Sequence, residues 1–358
     1  MIHQYRKIVI KIGSNVLSQS DGTPDLHQMR SLVHQIAGLV HEGREILLVS
    51  SGAVSFGRST GKMIDVRDEI ARRQVWASLG QVRMIREYQR YFEEENIMCS
   101  QVLVTRDDFR SRRHYLNMRQ CLRHLTSQGI LPIINENDVV SVTELMFTDN
   151  DELAGLVSAM VEADALIILT NVDGVFNGNP SDSSSHLVEK FYPGEPIPPS
   201  IVTEQKSSFG RGGMRTKVNL AIKTARLGIA VHIANGFKPD IIRNVLEGNE
   251  PHSHFIPAQN IDGRKKWIAH SHHFSVARVV INKGAIEALK SDQATSLLPV
   301  GVVSIAGDFS KGEVVQIVDE KGRLIALGQA GYDSVTAKDR LGQPHQKPLI
   351  HYDYLYVM

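Results

Sequence analysis

Short β-branched runs alternate with stretches of helical periodicity through the first two-thirds of the chain, at Lys7–Ile12, Ile46–Val49, Val102–Val104, Ile130–Ile134, Ala165–Leu169 and Ala230–Ile233. Strands separated in this way need long crossover connections, so the pattern predicts a mainly parallel sheet covered by helices. Between the first two runs, Met29, Leu32, Val33, Ile36, Leu39 and Val40 recur on one helical face. Asp25 is placed to cap the start of that helix and Gly43 its end. A further helix is expected just after Asp149, at the N-cap position, because Leu153, Leu156, Val157 and Met160 share a face.

Beyond Lys238 the pattern changes. A short helix over Asp240–Glu247 precedes a polar stretch, Gly248–Gly263, that reads as linker. From Phe274 strand-like runs dominate (Ala277–Ile281, Val300–Ile305, Glu313–Val318, Leu324–Leu327), with Asp319-Glu320-Lys321-Gly322 as a hairpin turn. The expected division is a first domain over 1–260, a linker over 261–273 and a small β-rich domain over 274–358. Gly178–Pro199, rich in serine and proline, reads as a long mobile loop, either one that closes over a substrate or a surface excursion.

Composition narrows the class. The 358 residues are 42% hydrophobic and 22% charged, an ordinary folded balance. Forty Lys+Arg against 39 Asp+Glu exclude a chain built chiefly for non-specific attraction to phosphate backbones. Cys99 and Cys121 are too few for a disulfide framework and are expected to be buried small hydrophobes in a reducing cytoplasm. The apolar run Ile8-Val9-Ile10 is ended by Lys11, and nothing later reaches spanning length, so no membrane segment is expected.

Walker A spacing, a Gly-x-Gly-x-x-Gly turn, His-Glu-x-x-His and Gly-x-Ser-x-Gly are all missing. Four small-residue turns follow expected strands instead, where α/β folds bind ligands. Lys11-Ile12-Gly13-Ser14 places a lysine at the end of an apolar strand, where it either snorkels or serves a phosphate. Ser50-Ser51-Gly52-Ala53 opens a helix, as an N-cap or as an anion site. Asn135-Glu136-Asn137-Asp138 and Thr148-Asp149-Asn150-Asp151 form a polar set denser than turn chemistry needs. Gly210-Arg211-Gly212-Gly213-Met214-Arg215-Thr216-Lys217 is a glycine-rich, basic loop that lets backbone amides approach phosphate.

Taken in order, these motifs resemble the amino acid kinase family, most closely its branch that acts on the side-chain carboxylate of L-glutamate. Ser296-Leu297-Leu298-Pro299-Val300-Gly301-Val302, Gly307-Asp308-Phe309 and Lys311-Gly312-Glu313 look like a C-terminal PUA domain. The resemblance implies a three-layer α/β/α sandwich with a mainly parallel sheet. It also implies transfer of the ATP γ-phosphoryl group, with Mg²⁺, to L-glutamate, giving L-glutamyl 5-phosphate at the start of proline synthesis. Lys11 and Lys217 are then the catalytic lysines, and Ser51, Gly52, Asn135, Asp138 and Asn150 hold the amino acid. The nucleotide falls on Lys11, Thr170, Asn171, Arg211, Gly212, Gly213, Met214, Arg215, Thr216 and Lys217. No metal ligand is assigned. A homo-oligomer, a dimer or tetramer, and feedback binding of proline are further implications.

One departure carries a specific expectation. Asn171 stands where the family usually has an aspartate that orients the two lysines, and Asp173, on the same face of an extended chain, is expected to supply the missing carboxylate. Arg211 likewise replaces a small polar residue. From Phe274 to Met358 nine Lys+Arg meet nine Asp+Glu, which favours a structural or regulatory role for that domain over RNA binding. His270-Ser271-His272-His273 is expected to be solvated rather than metal-bound. Two alternatives remain: a kinase of a related carboxylate acceptor, and an RNA-binding adaptor whose kinase domain is inactive.

Overall fold

The computed structural model describes residues 5–61, 65–110, 112–140, 150–180, 182, 184–197, 201, 213–258, 268–269, 275, 277–291 and 295–357. The chain forms two compact units, one of residues 1–106 and 118–260 and another of residues 107–117 and 261–358.

The first unit is built on strands β1 (Lys7–Ile12), β2 (Glu45–Ser50), β3 (Cys99–Val104), β4 (Leu131–Glu136), β5 (Ala165–Thr170), β6 (Lys190–Phe191), β7 (Ala230–Asn235) and β8 (Ser253–Phe255). They lie side by side in the order β3-β4-β2-β1-β5-β7-β8-β6. The pairings from β3 through β7 are parallel, and β8 runs antiparallel to β7. The helices up to residue 247 are α1 (Leu26–His41), α2 (Ala53–Arg58), α3 (Glu69–Glu94), α4 (Arg106–Arg110), α5 (Arg112–Ser127), α6 (Asn150–Val161), α7 (Met214–Arg226) and α8 (Ile241–Glu247), of which most of α4 and the start of α5 fall in the second unit.

Side-chain alternation along β1 sets the layers. Ile8, Ile10 and Ile12 join one buried cluster with Leu32 and Ile36 of α1, Tyr88 and Phe92 of α3, and Ile241 and Val245 of α8. Val9 and Lys11 point to the opposite face, where α6 packs on β1 and β5 and α7 on β7. Helices on both faces of a mostly parallel sheet make the expected three-layer sandwich. Asp25 caps α1 by accepting from the Gln28 amide at 2.9 Å, and Gly43 follows the helix in the left-handed region at φ +83°.

Helices α2 and α3 touch backbone to backbone. A Cβ on Gly80 would lie 1.7 Å from the Ala53 carbonyl oxygen, and one on Gly57 would lie 1.9 Å from that of Trp76. Only glycine permits this approach.

In the second unit, β9 (Arg278–Ile281), β10 (Val302–Ala306), β11 (Val314–Val318), β12 (Leu324–Gln329) and β13 (Leu355–Val357) form a sheet in the order β10-β9-β11-β12-β13. Helices α9 (Lys283–Lys290) and α10 (Ser334–Asp339) accompany it. Asp319 closes the β11–β12 hairpin, accepting from the backbone amides of Lys321 and Arg323 at 3.0 and 2.8 Å, with Gly322 at φ +78°.

Three expectations are corrected. Gly178–Pro199 is not simply a loop, since Lys190–Phe191 is a strand paired with β8. The stretch read as linker contains β8 itself, hydrogen-bonded to β7. Cys121 is exposed rather than buried; Cys99 is half-buried, and burial pushes its thiol up to about 11, keeping it protonated. The helix after the polar set begins at Asn150; Asp149 lies outside the described residues, as do Thr148 and His270–His273.

Candidate active site

The carboxyl ends of β1, β2, β4 and β5 open into a cleft of about 510 Å³ lined by Lys11, Ser51, Gly52, Asn135, Asp138, Asn150, Thr170, Asn171, Gly213, Met214 and Lys217. Residues far apart in the sequence thus meet at one edge of the sheet, where a parallel sheet collects its loop ends. Arg215 is exposed, and neither it nor Thr216 lines the cleft; Arg211 and Gly212 lie outside the described residues.

One end of the cleft is ionic. Lys11, on the α6 face of β1, places its Nζ 2.5 Å from Oδ1 of Asp151. Lys217, in the first turn of α7, places its Nζ 2.9 Å from Oδ2 of the same carboxylate. The Asp151 side chain is 1% exposed and the lysines 6% and 12%. Burial alone would raise the Asp151 pKa, but the charges and hydrogen bonds of Lys11 and Lys217 outweigh it and hold the carboxyl well below the usual carboxylate range. Two ammonium groups converge on one carboxylate here, a cationic cluster whose charge suits an anion.

Asp173 does not take this place. Its Oδ1 accepts from Asn235 Nδ2 at 2.9 Å and pairs with Lys238 Nζ at 3.1 Å. The missing carboxylate at Asn171 is therefore not supplied from Asp173; Asp151 bridges the two lysines. Asn171 is exposed beside Thr170, whose hydroxyl donates to its Oδ1 at 3.3 Å.

The other end is a directional chain of neutral groups. Asn150 Nδ2 donates toward the Ser50 carbonyl at 3.1 Å, Ser51 Oγ at 2.9 Å and Asn135 Oδ1 at 2.9 Å. Ser51 Oγ, accepting from Asn150, keeps its own hydrogen for a carboxylate. Asn150 Oδ1, which receives no hydrogen bond from a described residue, is left for an ammonium group. Asp138, beside them, faces Arg73 Nη2 at 3.7 Å. Gly52 turns the chain from β2 into α2 at φ +110°, a conformation glycine adopts without strain.

Part of the wall was not legible in the sequence. Arg58, Arg72, Arg73 and Trp76 of α2 and α3 also line the cleft, with the Arg58 and Arg72 guanidiniums 4.7 and 5.4 Å from the Trp76 ring. A cationic pair at one end and ammonium- and carboxylate-binding groups at the other suit an amino acid whose distal group meets a phosphoryl donor.

Comparison with known proteins agrees with this geometry. The amino acid kinase family model matches residues 6–235, and the PUA domain model matches residues 277–349. The chain is 44% identical over 360 residues to a glutamate 5-kinase of Bacteroides thetaiotaomicron, covering 100% of both. It is 45% identical over 366 residues to a glutamate 5-kinase of Chlorobaculum tepidum, again covering 100% of both. In fold it is similar to an isopentenyl phosphate kinase of T. acidophilum, with TM-score 0.51 at 15% identity over 70% of this chain and 99% of that one.

Proposed function

The chain belongs to the amino acid kinase family, and from that premise we propose that it transfers the γ-phosphoryl group of ATP to the side-chain carboxylate of L-glutamate, forming L-glutamyl 5-phosphate, the first step of proline biosynthesis. The observation that carries the reading is the buried Lys11–Asp151–Lys217 bridge facing the Asn150–Ser51–Asn135 chain across one cleft.

A glutamate side-chain carboxylate, with a reference pKa near about 4.3, is ionised at neutral pH and needs no general base. Catalysis is then positioning and charge neutralisation. Asp151 holds both ammonium groups at fixed places, and Lys11 and Lys217 meet charge that builds on the transferring oxygens. Ser51 and the turn at Gly52 take the α-carboxylate; Asp138 and Asn150 Oδ1 take the α-ammonium, and Asn135, whose Oδ1 already accepts from the Glu136 amide and Asn150 Nδ2, orients Asn150. Thr170, Asn171, Gly213 and Met214 line the nucleotide side. Mg²⁺, when bound with the nucleotide, would neutralise phosphate charge beside the Lys11 and Lys217 ammonium groups.

Proline binds at or beside the glutamate pocket as a feedback ligand, and the chain works in the cytoplasm as a homo-oligomer. Val75, Leu79 and Val82 support the last point, forming an apolar stripe on α3 that is 37%, 40% and 67% exposed. The domain division is a kinase domain over 1–260 and a PUA domain from 274, whose net charge of zero favours a structural role over RNA binding. No helix of the described residues is long and apolar enough to cross a membrane.

The deciding experiment is ATP turnover with Mg²⁺ and L-glutamate, trapping the acyl phosphate with hydroxylamine, beside aspartate and N-acetylglutamate. Hydroxamate with glutamate alone is the expected outcome. Hydroxamate with another acceptor, or none from folded protein, overturns the reading.

A further inference from the structure

Helix α3 carries three polar side chains, behind the cleft lining, that reach residues of the acceptor end. Gln74, Gln81 and Tyr88 recur at heptad spacing, so they lie on one side of the helix. Each reaches a backbone or side-chain group of the acceptor end. Gln74 Nε2 donates to the carbonyl of Val139, the residue after Asp138, at 2.9 Å. Tyr88 OH meets Ser50 Oγ, next to Ser51, at 2.8 Å. Gln81 Oε1 accepts from Asn135 Nδ2 at 2.9 Å.

The middle contact has the most direct chemical consequence. The Glu136 amide can only donate, and it donates to Asn135 Oδ1 at 2.9 Å, so the Asn135 amide has one orientation, with Nδ2 toward Gln81. Gln81 is thus the acceptor that ties down the free end of Asn135. Asn135 Oδ1 in turn receives Asn150 Nδ2, which turns Asn150 Oδ1 to the cleft. Meanwhile Gln81 Nε2 is buried and has no hydrogen-bond partner among the described residues. A buried amide satisfied at only one end costs stability. Replacing Gln81 with an apolar residue of similar shape removes that unsatisfied amide but leaves Asn135 Nδ2 without its acceptor, two buried costs of similar size that offset.

We propose that Gln81 is a positioning residue for the amino-acid acceptor: it holds Asn135, and through Asn135 it holds Asn150, in the orientation that receives the substrate's α-ammonium. The inference rests on the glutamate reading of the site. Gln81 touches neither reacting atom, so its loss acts on acceptor binding and leaves the lysine bridge intact.

Three full-length proteins test this: wild type, Gln81→Met and Gln81→Glu, assayed by hydroxamate formation with L-glutamate, with glutarate as a competitive inhibitor and thermal melts alongside. In Gln81→Met the KM for glutamate rises about tenfold, the scale of one lost hydrogen bond in a buried network. Its kcat and its KM for ATP stay within about twofold, and its melting temperature stays close to that of wild type. The inhibition constant of glutarate, which lacks the α-ammonium, is unchanged. Gln81→Glu keeps an acceptor at the same place and restores most of the glutamate affinity. An unchanged KM for glutamate in Gln81→Met overturns the inference, as does a joint loss of stability, kcat and both KM values. Failure of Gln81→Glu to recover glutamate affinity does so too. Absence of hydroxamate from wild type with glutamate is a different result: it overturns the functional reading and this inference with it.

Discussion

Asp151 is the residue on which the ionic end of the cleft depends, because one buried carboxylate serves two lysines. Asp151→Asn keeps the shape and removes the charge; turnover should fall at least about 100-fold, measured by acyl hydroxamate. Two buried ammonium groups then lose their counter-charge, and a denaturant titration should show a loss of about 3 kcal/mol. Asp173→Asn, by contrast, removes a partner of Lys238 in a side chain 37% exposed and should change turnover by less than about twofold. The pH dependence follows from the direction of the Asp151 shift. Its folded pKa is depressed, so the stabilisation is complete above the unfolded carboxylate value near about 3.9 and is lost only as pH falls through the lower native value. Lys11, Ser51, Asn135, Asp138 and Asn150 are legible in the sequence because each breaks a local rule, a lysine in an apolar strand or polar residues after a buried one. Asp151 is not, because an acidic residue in the first turn of a helix is ordinary dipole chemistry. Only the fold shows that it lies between two lysines.

At the scale of elements, α3 is the largest feature the periodicity leaves unread. Its 26 residues bury Ala77, Met84, Tyr88, Tyr91 and Phe92 in the usual amphipathic way, but half-buried Gln74 and Gln81 interrupt the pattern on one side and exposed Val75, Leu79 and Val82 on another. The strands are legible because β-branched residues buried on both faces form continuous runs. Strand β8 is not, because its three residues include a polar histidine. Gly80 joins α3 to α2, and Gly80→Ala should cost about 3 kcal/mol or more in a denaturant titration, since the added carbon meets the Ala53 carbonyl oxygen rather than a flexible side chain. The β7–β8 pair carries another liability. His232 of β7 lies 3.0 Å from His252 and stacks on His254 of β8 at 4.2 Å, beside Tyr5. Burial first, then the neighbouring histidines, hold the His232 pKa well below its usual value, and His254 is brought down to about 4. The native pair stays neutral where the unfolded chain takes up protons, so the stability is complete above about pH 6.5 and falls as pH drops toward the native values. Melting temperature should therefore decline from about pH 7 to about pH 5, and His232→Leu should flatten that decline.

For the whole molecule, the homo-oligomer proposed above would use the exposed Val75, Leu79 and Val82 of α3. Val82→Glu should then dissociate it in sedimentation velocity, and because Val82 does not line the cleft, the KM for ATP should hold. An unchanged sedimentation coefficient would remove that face as the interface. The division into two units is legible from the change of periodicity near Lys238, but the place of residues 107–117 in the C-terminal unit is not, since nothing in their sequence sets them apart from the helices around them.

Consecutive residues at the start of α6 serve two networks: Asn150 bonds Ser51 and Asn135, and Asp151 holds the two lysines. Neighbours on a helix cannot be moved apart independently, so on the proposed reading α6 is a caliper whose two jaws are set by helical geometry rather than by loop conformation. An acceptor would then be measured by the span between its α-ammonium and its distal oxygen. Aspartate, one methylene shorter, reaches one jaw only by leaving the other, and a misfit of about 1 Å at a reacting centre costs on the order of 100-fold in rate. Substrate length is thereby written into a single peptide bond.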